Sequence, residues 1–372
     1  MRACATPARI LRCSRLHGVY IFPSVGTDNW VMQQNSLPPA YFAAELQARQ
    51  YREDHDFKAA ARGAAEAAAT ALSAGEVDAG WDMRFFQVEN LLDAGEFDES
   101  AALAAALVAG PFGAPTAQAK AKAYILLAIA RQRAGLLEQA AESARTAADL
   151  TAEDADIEIN VKARHALIAA LADCGMLTEA WNESAILANI VADEVDEQLA
   201  GKAYWVIGNV AFLCNNVEEG LRYHELAAAT FSPARNLDVW AKFNKASAAM
   251  RLAADIADAD TLRCIERAEL ATDVIGGSPN DYHLLKLNRA HWTFLAGDAM
   301  TAIGLLEELC RLESGLSPQR TGEACLLLGR AFKATGDDAA AKDVLLRAAE
   351  QFETAGAPQR ADQAREYLAN EL

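Results

Sequence analysis

An all-α solenoid of about eight antiparallel helix pairs, closed by one C-terminal helix, is the fold this sequence predicts. Three observations carry the prediction. A residue type that tolerates left-handed backbone returns about every 40 positions. A small residue stands five positions after almost every one of them. The segment before each carries an apolar stripe of helical period.

The recurring residues are His55, Gly95, Gly135, Gly175, Asn215, Asp255, Gly297 and Gly336, at steps of 40, 40, 40, 40, 40, 42 and 39. Gly, Asn, Asp and His are the types found at positive φ, and helices commonly end on such a residue. Each is therefore expected to mark a hinge between two helices. Before the hinge, Tyr204, Ile207, Gly208 and Ala211 fall at i, i+3, i+4 and i+7, as do Cys325, Leu328, Gly329 and Phe332. That spacing makes one apolar helix face. After the hinge stand Ala60, Ser100, Ala140, Ala180, Gly220, Asp260, Ala302 and Ala341, seven of them small. A small residue there lets the second helix approach the first. The sixth unit departs at Asp260 and also breaks the step, so its second helix is expected to start late, along 261–275. One pair cannot bury its own apolar face, whereas stacked pairs share a continuous core. The closing helix is expected near 358–370.

The segments "YWVIGNVAFLCNNVEEGLRYHELAAATFSP" and "CLLLGRAFKATGDDAAAKDVLLRAAEQF" resemble tetratricopeptide (TPR) repeats. The step of 40 exceeds the usual period of about 34. It resembles the longer repeats of bacterial peptide-sensing regulators and of the maltose-activator type of transcription factor, and "FETAGAPQRADQAREYL" looks like the closing segment of that class. The resemblance spans roughly 41–370 and implies a right-handed superhelical TPR-like solenoid whose first helices line a concave face. Together with the aperiodic composition of the start, it divides the chain into a disordered or irregular N-terminal extension, 1–35, and a TPR-like helical repeat domain, 36–372.

Composition agrees with helix: 52% hydrophobic residues but only 7% aromatic ones, in a chain dominated by Ala and Leu. The net charge of -18 weighs against nucleic acid and anionic membrane surfaces as partners. No apolar run approaches the roughly 20 residues needed to span a bilayer. Seven widely spaced cysteines without a C-x-x-C pair fit reduced thiols and a cytoplasmic location. Cys174 and Cys214 repeat the step of 40 and read as small apolar fillers. The first 31 residues carry four arginines and one carboxylate (net +3), leaving -21 for the remainder. Such a start resembles an organelle transit segment. The alternative, favoured here, is an irregular extension ahead of a start at Met32.

No motif of catalysis is present. His17, His55, His165, His224, His283 and His291 are scattered, with no H-E-x-x-H and no cysteine partners at zinc spacing. There is no G-x-x-x-x-G-K-[ST] loop, no G-x-S-x-G and no Rossmann glycine run. The expectation is a protein that is not an enzyme and holds neither metal nor cofactor. The aspartate phosphatases of the peptide-sensing group place a helical bundle before similar repeats. Here the repeats start near Tyr41, which leaves no room for that bundle or for a DNA-binding helix-turn-helix.

Candidate binding residues follow from the concave face that the resemblance implies. Lys122, Lys162, Lys202 and Lys242 each lie 13 residues before a hinge and form one ladder. At helix spacings of about 10 Å they suit an extended acidic or carboxylate-bearing chain. The competing reading is a solvated column inherited by duplication. Trp205 and Phe212, seven apart with Asn209 between them, form an apolar patch that either receives side chains or packs one helix on another. Asn288, His291 and Arg330 add polar groups for a peptide backbone. The leading expectation is a protein- or peptide-binding scaffold. Two alternatives stay open: a peptide-responsive sensory regulator without a DNA-binding domain, and a structural oligomerisation module, including a homodimer.

Overall fold

The computed structural model describes residues 37–110, 116–151, 156–192, 195–311 and 316–371. The expected irregular extension, 1–35, lies outside the described residues. Eight helix pairs follow in chain order: α1 (Pro39–Glu53) with α2 (Phe57–Ser73), α3 (Val77–Asp93) with α4 (Phe97–Ala109), α5 (Ala117–Arg133) with α6 (Leu137–Leu150), and α7 (Ile157–Asp173) with α8 (Leu177–Ile190). The remaining pairs are α9 (Glu197–Leu213) with α10 (Val217–Thr230), α11 (Leu237–Ala253) with α12 (Ala259–Ile275), α13 (Pro279–Leu295) with α14 (Ala299–Arg311), and α15 (Pro318–Thr335) with α16 (Asp338–Thr354). The closing helix is α17 (Pro358–Glu371). The described residues contain no strand.

All eight hinge residues have positive φ, from 58° at Asp255 to 94° at Gly297. The physical device repeats. At Gly135 the hinge N–H donates to Gln132 O (3.1 Å) and the next N–H reaches back to Arg131 O (2.8 Å). This Schellman arrangement satisfies carbonyls that a helix end otherwise leaves open. The second helix then starts at once, capped in several pairs by a side chain, as when Asp56 accepts from the Ala59 N–H (3.0 Å).

The column of small residues is the contact between the helices of a pair. Ala60, Ser100, Ala140, Ala180, Ala302 and Ala341 are fully buried. At Gly220 an added Cβ would lie 2.7 Å from the Phe212 ring. In the sixth pair Asp260 is only half-buried and Thr261 is buried in its place. The late start is present, though α12 begins at Ala259, two residues ahead of the expected segment, because Asp258 caps it through the Thr261 N–H (2.8 Å).

First helices pack on first helices: α3 on α5, α5 on α7, α7 on α9, α9 on α11, α11 on α13 and α13 on α15. No second helices pack on each other comparably, so the first helices form one continuous layer of the stack. The core beneath is not uniform. One large cluster joins α5 to α9 and another joins α13 to α17. Between them lie two small clusters, one built on Phe231 and Phe243, the other on Leu252 and Ile265. At this junction α10 barely touches α11. The α17 helix closes the stack by burying Ala361 and Ala364.

Candidate functional site

A groove of about 690 Å³ opens on the first-helix layer, lined by residues of α3, α5, α7 and α9. Its floor is apolar: Phe85, Ile125, Ile129 and Ala166 contribute to it. These residues recur because successive first helices present the same face at a step of 40. Lys122, Lys162 and Lys202 also line the groove, one on each of three successive helices. Three members of the column read from the sequence thus border one recess.

Lys242 is the exception. It does not line this groove; it is exposed and pairs with Asp238 one turn earlier on its own helix (2.7 Å). Lys162 pairs likewise with Glu158 (2.5 Å), with both side chains more than half exposed (52% and 58%). Such solvent-exposed pairs are worth about 0.2–1 kcal/mol, so Lys162 can exchange Glu158 for another carboxylate at little cost. Among the described residues Lys122 and Lys202 form no ion pair.

The groove is not uniformly basic. Lys122, Arg133, Lys162 and Lys202 line it together with Glu89, Asp156 and Glu158. Four cations against three carboxylates is nonetheless a reversal of the chain as a whole, which has 34 basic and 52 acidic residues. Burial pushes the Glu89 carboxyl above its ordinary range, with Arg52 opposing the shift. Burial and the nearby Lys202 push His165 down to about 4, so its ring is neutral at pH 7. A neutral imidazole offers one donor and one acceptor, a suitable partner for a peptide group.

A second recess of about 540 Å³ lies on the same layer, between residues of α11, α13, α15 and α17. It brings together Asn288, His291 and Arg330. Asn288 donates through Nδ2 to the Lys245 carbonyl (2.9 Å), tying α13 to α11. The His291 Nε2 is buried without a partner among the described residues. Burial, reinforced by Arg330, lowers His291 to about 4. Arg330 lies 3.8 Å from Asp255 and 5.3 Å from the Phe294 ring centre.

Trp205, Asn209 and Phe212 line neither recess. The Trp205 ring packs edge-on against Phe243 (5.7 Å) and Phe231 (6.3 Å), and its Nε1 is buried without a hydrogen-bond partner among the described residues. Phe212 is 8% exposed and packs against His224 (5.1 Å). Asn209 Oδ1 meets His224 Nε2 at 3.1 Å. Phe212 and Asn209 thus pack within the pair, α9 on α10, while Trp205 joins α9 to α11. Sequence reasoning missed Glu89, Arg133 and Asp156 as groove residues. Their columns show no chemical regularity, and only the stacking of successive helix pairs brings them to one recess.

No protein-family profile matches the chain, and no curated protein matches it significantly. Solved structures do. The apo form of the quorum sensor NprR from B. thuringiensis superposes with a TM-score of 0.53 at 10% identity, covering 89% of this chain and 87% of that one. Aspartyl phosphate phosphatase F from Bacillus subtilis gives 0.51 at 12% identity, over 93% of this chain and 96% of that one. The apo form of RapI gives 0.51 at 11%, over 78% and 97%. At these identities the likeness is one of architecture: the chain shares the all-α, tetratricopeptide-like helical-repeat fold of these structures.

Proposed function

We propose that this chain is a non-enzymatic binding module whose concave face holds an extended, acidic peptide segment. The observation that carries the reading is the groove between α3 and α9. There Lys122, Lys162 and Lys202 stand on successive helices beside an apolar floor. An extended chain crossing the helices meets one ammonium per repeat, while its apolar side chains find Phe85, Ile125 and Ile129. Each solvated cation contributes about 0.2–1 kcal/mol. Buried apolar area contributes about 25 cal/mol per Å², so the floor supplies affinity and the ladder supplies choice of partner. Asn288, His291 and Arg330 offer a second polar station on the same layer. Trp205, Asn209 and Phe212 are assigned a supporting role, and Lys242 a marginal one.

The test is fluorescence anisotropy with an acidic peptide selected by display against the full chain. Changing Lys122, Lys162 and Lys202 to Gln should weaken binding and flatten its dependence on salt, because exposed charge contacts are screened. Unchanged affinity at low salt would leave the column as an inherited, solvated feature.

A second reading, a peptide-responsive sensor, is favoured by one further observation. The core is divided, with only small clusters joining its two large blocks near α10 and α11. A likeness in architecture to a protein described as a quorum sensor is consistent with it. A change in small-angle scattering on peptide addition supports the sensor, and an unchanged profile supports the passive scaffold.

A further inference from the structure

Arg251 has no adequate partner. It is 5% exposed, and its Nε is buried without a hydrogen-bond partner among the described residues. The nearest carboxylate is Asp258, 3.8 Å from Nη1. Asp258 is half exposed; its Oδ1 accepts from the Thr261 N–H and hydroxyl (2.8 and 2.9 Å) to cap α12, and its Oδ2 faces Arg251 from beyond hydrogen-bond distance. A buried guanidinium held this loosely is costly, because desolvation is not offset by a close counter-charge.

The third repeat provides an internal control. Arg131 stands four residues before its hinge, as Arg251 does. It donates to Ser143 Oγ (2.6 Å) and to the Gln139 carbonyl (3.3 Å) across the pair. In the sixth pair, where Thr261 takes the buried place of the small residue five after the hinge, the position matching Ser143 is Cys264. The late start of α12 has replaced the hydroxyl acceptor by a thiol and set an exposed cation, Arg263, beside it. Arg267 follows one turn later on the same face.

These three arginines line one recess of about 470 Å³ between α10, α11 and α12. It lies at the loose junction of the core and does not share its lining with the first-helix groove. Arg251 forms its inner wall, and Arg263 and Arg267 are exposed at its rim. Glu225 and Asp260 line it too, and Arg263 pairs with Asp260. A monoanion therefore gains little net charge stabilisation there. A dianion with three terminal oxygens can engage all three guanidinium groups and compete Arg263 away from Asp260. Planar guanidinium groups suit phosphate in this way.

We propose that the recess between α10, α11 and α12 binds a small phosphate-bearing ligand, a phosphomonoester or inorganic phosphate, anchored by Arg251 and closed by Arg263 and Arg267. The site is independent of the peptide reading.

The experiment is calorimetric titration of the full chain with phenyl phosphate and with inorganic phosphate, against acetate at matched ionic strength, with melting curves alongside. Phosphate compounds should bind saturably and raise the melting temperature, and acetate should do neither. Tighter binding of phenyl phosphate identifies an ester as the ligand, and equal binding identifies free phosphate. Arg263→Gln and Arg267→Gln, both at exposed positions, should each weaken binding by about tenfold, the loss of one charge-assisted contact. Arg251→Met should abolish binding and also melt higher than the parent in the absence of phosphate, because it removes an uncompensated buried charge. Absence of saturable binding, equal binding of acetate, or unchanged affinity in the Arg263→Gln/Arg267→Gln double variant would overturn the proposal.

Discussion

Replacing Gly208 by Ala inserts one methyl group where α9 and α10 cross most tightly. The new Cβ would lie 2.3 Å from Cδ2 and 2.9 Å from Nε2 of His224. His224 cannot yield easily. It is 1% exposed, Nδ1 meets Ser247 Oγ at 3.0 Å, and Nε2 meets Asn209 Oδ1 at 3.1 Å. Phe212 and Phe243 hold the ring from two sides (5.1 and 5.8 Å). Relieving the clash requires the imidazole to move and to lose one or both hydrogen bonds. Overpacking of this kind costs about 1–3 kcal/mol, and each lost buried hydrogen bond about 1 kcal/mol. Helix propensity returns about 1 kcal/mol for Gly→Ala. The balance is a loss of about 2–3 kcal/mol. Gly304 in α14 is the control, because a Cβ there meets nothing within 4 Å. Gly304→Ala should gain about 0.5–1 kcal/mol from backbone entropy alone. Urea unfolding followed by circular dichroism reads both. If Gly208→Ala raises the midpoint as Gly304→Ala does, the packing of α9 on α10 is wrong.

The other expected outcomes rest on separate features. Gly135→Ala should cost about 1–2 kcal/mol in the same urea assay, because φ is 79° while no atom opposes the methyl group; an unchanged midpoint would mean that the hinge is not left-handed. Burial lowers His165 and His291 to about 4 and His224 to about 3, against about 6.5 in the unfolded chain. Between those values the unfolded state binds protons that the folded state refuses. Stability is therefore full above about pH 6.5 and falls as pH drops toward 4 and then 3. His291→Gln should shallow the decline in melting temperature between pH 6.5 and 5, and an unaltered slope would refute the burial of that ring. Cys310 and Cys325 are buried with their sulfurs 3.4 Å apart, whereas Cys174 and Cys214 are half-buried. Thiol labelling of the native protein read by mass spectrometry should reach Cys174 and Cys214 before Cys310 and Cys325; early labelling of Cys310 would contradict the α14–α15 packing.

The hinges were legible because the chemistry is local. Positive φ restricts residue type at one position, and all eight positions named from residue type alone adopt it. The small column was legible for a similar reason, since one close approach per pair selects Ala, Ser, Gly or Thr. The turns at Gly75 and Gly356 were passed over, although both have positive φ (83° and 70°), because they join one pair to the next and do not recur at every step. The ladder was legible as a column, but its division was not. Whether a lysine lines a groove depends on how adjacent pairs stack, and Lys242 stands on α11, beyond the loose joint with α10. Trp205 and Phe212 show the same limit. Their spacing gives a helix face, but only the positions of Phe231, Phe243 and His224 turn that face into packing. Arg251 is harder still, because its lack of an acceptor follows from a shift of register in the next helix.

The central claim is that carboxylates of an extended partner meet Lys122, Lys162 and Lys202 on the first-helix layer. Zero-length carbodiimide cross-linking tests it directly, because it joins only a lysine amine and a carboxylate already in contact. The display-selected acidic peptide would be cross-linked to the full chain, and the joined lysines identified by mass spectrometry. The account predicts adducts at Lys122, Lys162 and Lys202, and none at Lys58 on α2 or Lys342 on α16, which are exposed on second helices. Adducts concentrated at Lys58 and Lys342, with the three groove lysines unmodified, would contradict it.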